Sequence, residues 1–203
     1  MGTAVGMGGA LGVAALGSAV LVVLVARALI IPPSRRTEDV RILHVDLDRG
    51  LITLSATPDS LLPGVYSFWF DQDAGNARIG EIVSRSERSV TRRVLGVEFG
   101  DLEAARAGRF SGWVYLRPED LGRAYDDVPI ATPLGEAPAW LIPADPERAS
   151  ARWMIGVHGR AVRRGEALRA VPVFQEAGYD SLLVSYRNDG DAPSSADHRY
   201  ALG

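Results

Sequence analysis

The stretch WMIGVHGR, residues 153–160, decides the predicted fold of the C-terminal part of this chain. Its apolar run has the pattern of a strand and ends abruptly at the last three residues, His-Gly-Arg. A helical pattern over residues 166–177 and a second strand pattern over residues 181–186 follow it. Strand, helix and strand joined by short connections predict a βαβ unit, whose two strands are parallel and whose crossover is right-handed. We therefore expect an α/β fold in residues 127–203.

Two further strands are predicted before this unit, over residues 128–132 and 139–143, joined by a turn that contains Gly135. The helix of the unit has one irregularity. Pro172 lies inside its pattern and removes a backbone hydrogen bond, so we expect the helix to begin late or to bend there.

The end of the strand at His158 and Gly159 is a candidate binding position. Ligands of open parallel sheets bind beyond the carboxyl ends of the strands. Glycine allows a sharp turn there, and successive backbone N–H groups in such a turn can point at an anion. Arg163 and Arg164 follow closely. They suit either an anionic substrate or a solvated helix start, and the sequence leaves both readings open.

Residues 127–203 resemble the first half of an α/β-hydrolase domain: two strands, a third that ends in His-Gly, a helix, and a fourth that leads to Tyr-Arg-Asn-Asp-Gly at residues 186–190. The resemblance implies a serine hydrolase of the esterase or peptidase type, acting on a small ester or peptide substrate. It also implies an oxyanion loop in which a backbone amide near Arg160 is the donor. That loop comprises His158, Gly159, Arg160 and Ala161. The alternative is a structural histidine beside an ordinary turn glycine.

The resemblance also implies residues that the chain does not contain. A G-x-S-x-G motif should follow the fourth strand, and an Asp or Glu and a His should follow that motif. We therefore expect an N-terminal fragment that holds half a site and is inactive alone, with nucleophile, acid and base unknown. The strand over residues 154–157 should then be an unpaired apolar edge. The alternative function is a non-catalytic, membrane-tethered interaction or binding protein.

The N-terminus is strongly apolar, and the first 26 residues carry no charged side chain. A helix needs about 20 such residues to cross a bilayer. We expect an uncleaved single-pass anchor over residues 1–31, which makes the membrane a partner, and a Pro- and Arg-containing linker over residues 32–39. The arginines after the apolar run favour a cytoplasmic position for the rest of the chain. A cleaved signal peptide, ending near the small-x-small residues 26–28, is the competing interpretation.

Residues 40–126 are predicted to form a small antiparallel β module. A hairpin is expected around the turn at residues 48–50. Further strands are expected over residues 65–70, 77–83, 90–97 and 110–116, and a short helix over residues 102–107. Tyr66, Phe68 and Phe70 alternate to one side of a strand, which indicates core residues rather than a stacking surface for ligands. Residues 71–76, DQDAGN, hint at a calcium loop but lack its closing Glu, and they are predicted to form a turn. The module could position the anchor or cap the active site.

Composition limits the possible functions. The 203 residues are 47% apolar, enough to fill a core, and their net charge of -3 provides no basic footprint for nucleic acid. The absence of cysteine excludes disulfides and thiolate metal sites, and no cofactor or metal is predicted. The expected fold class is therefore α/β: a partial α/β-hydrolase sheet, preceded by the antiparallel module and one transmembrane helix.

Overall fold

The computed structural model describes residues 2–31, 35–159, 162–188 and 190–199, and it describes the side chains of the first helix from residue 16 onward. That helix, α1, is Gly2–Ile30. Ten strands follow: β1 Val40–Asp46, β2 Leu51–Ser55, β3 Tyr66–Phe70, β4 Gly75–Arg85, β5 Ser89–Phe99, β6 Ala107–Ser111, β7 Asp126–Thr132, β8 Gly135–Ile142, β9 Arg152–Val157 and β10 Tyr179–Val184. A 3-10 helix, Pro118–Leu121, lies between β6 and β7. Another, Arg164–Ala170, runs directly into the second α-helix, α2 Val171–Glu176.

Strands β1 to β6 form a closed antiparallel barrel in the order β1-β2-β5-β4-β3-β6. Pairing of Val40 with Gly108, and of Arg41 with Ala107, joins β1 to β6 and closes it. Alternation of apolar and polar residues along the strands fills the interior, because successive side chains point to opposite faces. The core contains Val40, Ile52, Leu54, Phe68, Phe70, Ala77, Ile79, Val90, Leu102 and Ala105. The aromatic residues predicted to be core are thus largely inside, with Phe68 and Phe70 fully buried and Tyr66 partly buried.

The short helix predicted over residues 102–107 is wrong. The Asp101 carboxylate accepts hydrogen bonds from the backbone N–H groups of Glu103 and Ala104, both at 3.1 Å. This is the geometry of an N-cap, but the same side chain also closes turns that no helix follows. The chain instead extends into β6, where it pairs with both β1 and β3.

The second sheet has four strands in the order β7-β8-β10-β9. β8 pairs antiparallel with β7 and with β10, while β9 and β10 are parallel, with Met154 beside Ser181. The 3-10 helix Arg164–Ala170 and α2 connect these two parallel strands, and Pro172 lies in the first turn of α2, where its missing N–H costs nothing. The core of this region contains Ile142, Met154, Leu168, Val171 and Leu183.

The predicted α/β class, with a partial α/β-hydrolase sheet as its main element, is wrong for this chain. The architecture is mostly antiparallel β and its largest element is the closed six-stranded barrel. Among the described residues only β9 and β10 pair in parallel. The physical reason is that the alternating pattern of residues 40–111 runs through six strands, enough to enclose a core of its own.

The predicted transmembrane anchor over residues 1–31 and the predicted single-pass membrane localisation are also corrected. No helix within the described residues is both long and apolar enough to cross a membrane. A span needs about 20 consecutive apolar residues.

Candidate functional site

His158 and Gly159 lie directly beyond the carboxyl end of β9, where the sequence places them. The His158 side chain is only 4% exposed, and its ring stacks on that of Tyr186, with centroids 4.3 Å apart and planes 12° apart. Tyr186 lies just beyond the end of the parallel neighbour β10. The two segments that carry the hydrolase resemblance therefore meet at one end of the sheet.

The carbonyl oxygen of Gly159 holds this junction together. His158 Nδ1 lies 3.0 Å from it, and the Tyr186 hydroxyl donates to it over 3.2 Å. Because a carbonyl oxygen only accepts, Nδ1 is the donor in the first contact. His158 Nε2 is buried and has no hydrogen-bond partner among the described residues. The histidine thus acts through one nitrogen on the loop backbone.

The backbone N–H of Gly159 already binds an anionic oxygen. It donates to Glu166 Oε2 over 2.8 Å, and the other carboxylate oxygen of Glu166 lies 3.4 Å from the Arg169 guanidinium. Glu166 belongs to the 3-10 helix that follows the loop. The Gly159 amide in the turn after β9 is therefore occupied by a carboxylate of the same chain.

The remaining residues of the predicted oxyanion loop, Arg160 and Ala161, lie outside the described residues. Within the described part of the chain, Ser185 and Ser195, which follow β10, bond to carboxylates rather than to histidine. Ser185 donates to Asp191 over 2.9 Å, and Ser195 donates to Asp197 over 2.6 Å. No group of three or more potential metal ligands occurs among the described residues.

Arg163 and Arg164 have different environments, although they are identical neighbours in the sequence. The Arg164 side chain is 11% exposed, donates to Asp191 over 2.6 Å and to Ser185 over 3.2 Å, and lies 4.2 Å above the Trp140 ring. Arg163 is exposed, and its side chain forms no hydrogen bond or ion pair with the described residues. The sequence left open an anionic substrate or a solvated helix start, and neither interpretation fits both arginines. Arg164 binds the loop after β10, whereas the exposed side chain of Arg163 is available to a ligand.

The contacts of Asp191 determine its protonation. Burial acts to raise the pKa of the Asp191 carboxyl, but the hydrogen bond from Ser185 and the positive charge of Arg164 outweigh it and lower the pKa below the ordinary value. The carboxylate therefore remains charged and continues to attract the guanidinium in mildly acidic solution.

The barrel contributes a second charged cluster, which the sequence did not reveal. Asp73 accepts from Arg109 over 2.6 Å and from Arg36 over 3.2 Å. These residues come from the β3–β4 turn, strand β6 and the segment before β1, so neither spacing nor periodicity could have brought them together. Together with Arg163 and Gly190 they line one groove between the barrel and the loops after β9 and β10.

Comparison with known proteins bears on the barrel only. Residues 41–111 match the model of a family described as a domain of unknown function (DUF8805). The match begins in β1 and ends at the last residue of β6, so the matched unit coincides with the closed barrel. No curated protein and no solved structure matches the chain. The family match therefore covers the barrel and does not extend to the four-stranded sheet.

Proposed function

We propose that residues 126–199 supply the oxyanion side of a serine hydrolase site, of esterase or peptidase type, with the loop that begins at His158 as its centre. The proposal concerns the reaction only, and the fold class remains mostly antiparallel β with a closed barrel. One observation carries it: the N–H of Gly159, at the carboxyl end of β9, binds a carboxylate oxygen at 2.8 Å. A backbone amide that holds one anionic oxygen has the property an oxyanion hole needs.

The hydrogen bonds of Gly159 support the same role. Oxyanion stabilisation depends on donors that are in place before charge develops. Here the Gly159 carbonyl is held from two sides by His158 and Tyr186, and the Gly159 amide is held by Glu166. Within the proposal Glu166 is a gate, because its carboxylate must leave the amide before a substrate oxygen can take its place.

In this proposal the barrel caps the active site. Its residues Trp69 and Arg109 line the groove whose opposite wall includes Val162 and Arg163, directly after the loop. An active site enclosed between two units excludes water, which strengthens every electrostatic interaction inside it. The cap would thus contribute to substrate binding while the sheet contributes the oxyanion donor.

The first experiment is to sequence the coding DNA through and beyond the codon for Gly203 and to translate all three forward frames. The proposal expects G-x-S-x-G, then Asp or Glu, then His. The protein encoded by that longer frame should react with a serine-directed fluorophosphonate, and exchange of the motif serine for alanine should abolish labelling. The 203-residue chain should hydrolyse p-nitrophenyl acetate no faster than buffer alone does.

A loop variant links the labelling to the geometry. Glu166→Gln weakens the bond that occupies the Gly159 amide, so it should change the labelling rate of the longer protein. Arg169→Ala removes only the exposed ion-pair partner of Glu166 and should leave the rate close to that of the wild type. Absence of a nucleophile motif from every frame, or ester turnover by the 203-residue chain itself, would contradict the proposal.

A non-catalytic binding protein is the second candidate. It is favoured by a specific observation: among the described residues Ser185 and Ser195 bond to carboxylates and not to a histidine, so neither has the partner that activates a nucleophile. Under this hypothesis the groove between barrel and sheet is the working part. The DNA experiment separates the two candidates, because a stop codon with no motif beyond it leaves only binding.

A further inference from the structure

The groove between the barrel and the four-stranded sheet is unusually rich in arginine. Two adjoining cavities, of about 180 Å³ and about 120 Å³, share Trp69, Trp113 and Arg163 as lining. Among the described residues, the charged lining consists of four arginines and two aspartates: Arg36, Arg109, Arg163, Arg164, Asp73 and Asp191. This is a surplus of two positive charges on a chain whose net charge is -3. The groove is thus electrostatically opposite to the molecule as a whole.

One surplus positive charge belongs to the cluster around Asp73, because the single Asp73 carboxylate pairs with two guanidinium groups. Arg109 and Arg36 each contribute one nitrogen to it, at 2.6 and 3.2 Å. Each guanidinium has five N–H donors, so most of the donors of both arginines are not used by Asp73. The side chains of Arg36 and Arg109 are 28% and 19% exposed, which places their charges at the boundary between protein and solvent. Charges interact more strongly there than in open water.

The turn that carries Asp73 is held in an uncommon conformation. Asp71, Gln72 and Asp73 all have positive φ, at 51°, 56° and 72°, and a run of such residues costs energy unless surrounding bonds fix it. Gln72 supplies those bonds: its side-chain oxygen accepts from Arg36 N–H over 2.8 Å, and its side-chain nitrogen donates to the Arg36 carbonyl over 3.1 Å. The turn and Arg36 are therefore positioned relative to each other before any ligand arrives.

The second surplus charge is that of Arg163. Its neighbour Arg164 is neutralised by Asp191, whereas the Arg163 guanidinium contacts no carboxylate among the described residues. Arg163 lines both cavities, and Arg36 and Arg109 line the smaller one with it. Three cationic groups thus line one groove, one from the sheet region and two from the barrel region. Like charges placed in this way repel each other unless an anion lies between them.

The walls of the groove also contain hydrogen-bond donors that are not used within the protein. Four buried polar atoms of lining residues have no hydrogen-bond partner among the described residues, and all four are N–H donors: Trp69 Nε1, Trp113 Nε1, Arg109 Nε and Arg164 Nε. An environment with spare donors favours a molecule that brings acceptors. The position also fits, since the groove adjoins the loops beyond the carboxyl ends of the parallel strands.

We infer that this groove binds a small molecule through an oxyanion group, a carboxylate or a phosphate, held between Arg163 on one side and Arg36 and Arg109 on the other. Planar guanidinium groups match the geometry of both anions and bind them through paired N–H bonds. The site requires both units, which gives the barrel a function in this chain. It does not depend on the proposed hydrolase activity, because it predicts binding whether or not turnover occurs.

Isothermal titration of the full 203-residue chain with inorganic phosphate, and separately with acetate, at constant ionic strength set by chloride, tests the inference. At least one of the two anions should bind, and the tighter one identifies the group. Arg163→Ala should weaken binding by about tenfold or more, as loss of a charge-assisted contact does. The side chain of Arg163 has no bond to lose among the described residues, so the fold should be retained. Arg88→Ala, at an exposed arginine in the β4–β5 turn, is the matched control and should bind like the wild type.

A second variant is expected to raise the anion affinity instead of lowering it. Asp73→Asn preserves the shape of the side chain but removes the negative charge that competes for Arg36 and Arg109, so it should tighten anion binding. Circular dichroism of each variant checks that it is folded. The inference is overturned if neither anion binds beyond the chloride reference, or if Arg163→Ala and Arg88→Ala bind equally well. The hydrolase proposal is judged on labelling alone, so its failure and the failure of this inference are distinct results.

Discussion

The guanidinium group of Arg92 donates twice to the carbonyl oxygen of Gly80, through Nε at 2.9 Å and a terminal nitrogen at 2.6 Å. Its other donors reach the carbonyls of Ser60, Leu62 and Gly64 at 2.7 to 3.0 Å. Arg92 is fully buried, and burial lowers its pKa below the ordinary value, although the nearby Tyr66 acts in the opposite direction. A single side chain of β5 therefore fixes the β2–β3 loop to the barrel.

Arg92→Met should destabilise the chain by about 3 kcal/mol or more, because it leaves buried carbonyl groups without donors. Arg92→Lys should also be destabilising. It keeps the charge, but one ammonium group cannot reach four carbonyls in different directions. Urea unfolding followed by tryptophan fluorescence measures both effects. Arg93→Met, at the next residue of the same strand, removes one 3.3 Å bond to Arg49 and serves as the control, with an expected change within about 0.5 kcal/mol. Equal losses for positions 92 and 93 would contradict the assigned role.

Gly108 lies where the barrel closes, and a side chain there has no room. A Cβ atom on it would lie 2.5 Å from Phe68 Cζ and 2.5 Å from the carbonyl oxygen of Trp69. Gly108→Ala should therefore destabilise the barrel by about 1–3 kcal/mol, the usual cost of overpacking. Gly96→Ala is the matched control, because the nearest atom to its Cβ is 4.0 Å away. A smaller loss for Gly108→Ala than for Gly96→Ala in urea unfolding would show that β3 and β6 do not pack as described.

Strand patterning was the part of the fold that the sequence revealed best. Alternation of apolar side chains predicted strands that overlap β1 to β5 and β7 to β10, since burial of one face leaves a direct record in the chain. For β6 the sequence predicts a strand only from residue 110 onward and places Ala107 at the end of a helix, because Asp101 and Gly108 resemble helix-capping residues. The Asp101 side chain forms the same hydrogen bonds in a turn as at the start of a helix. Only the pairing with β1 and β3 shows that a turn and a strand follow it rather than a helix.

Closure of the barrel and the arginine groove could not be predicted in the same way. Both depend on contacts between residues far apart in the chain, such as Asp73 with Arg36 and Arg109. Local patterns record which face of a strand is buried, but they do not record which strand pairs with which. The fold class predicted from the sequence is wrong for this reason, because one βαβ pattern is visible locally whereas the pairing of six strands is not. The position of His158 and Gly159 at a strand end, by contrast, is a local property and agrees with the structure.

Asp191→Asn should reduce stability in a way that depends on pH. The pKa of Asp191 is lowered in the folded protein, so its charged form stabilises the fold above the ordinary value of 3.8, and this contribution is lost as the pH falls through the folded pKa. The difference in unfolding free energy between wild type and variant should therefore be constant from pH 7 to pH 5 and shrink below about pH 4. The side chain is 52% exposed, so the effect will be modest.

The partner of Asp191 provides the control for that experiment. In an Arg164→Gln background the carboxylate loses its nearest cation, and Asp191→Asn should then cost less at pH 7 than it does in the wild type. Urea unfolding at a series of pH values measures all four proteins. A cost that is the same in both backgrounds would show that Arg164 does not stabilise the charged carboxylate.

Strand β9 is an edge of the four-stranded sheet, as expected from the sequence, and its two faces differ sharply. Met154 is 8% exposed and packs in the core with Leu168 and Leu183, whereas Ile155 is 64% exposed. Met154→Ala should therefore cost about 2–5 kcal/mol of stability, the usual range for a buried methionine. Ile155→Lys should change stability by no more than about 0.5 kcal/mol, and it adds the kind of charge that protects natural sheet edges from pairing with other chains.

Urea unfolding of the two variants tests the register of β9 against β10, because a shift by one residue exchanges the inner and outer faces of the strand. In the observed register Met154 lies beside Ser181 and Ile155 beside Leu182. A shifted strand would reverse the order of the two costs. A large loss for both variants would instead mean that the outer face of β9 is covered by another part of the protein. The prediction holds only if position 154 is sensitive and position 155 tolerant, since no other pattern agrees with one buried and one open face.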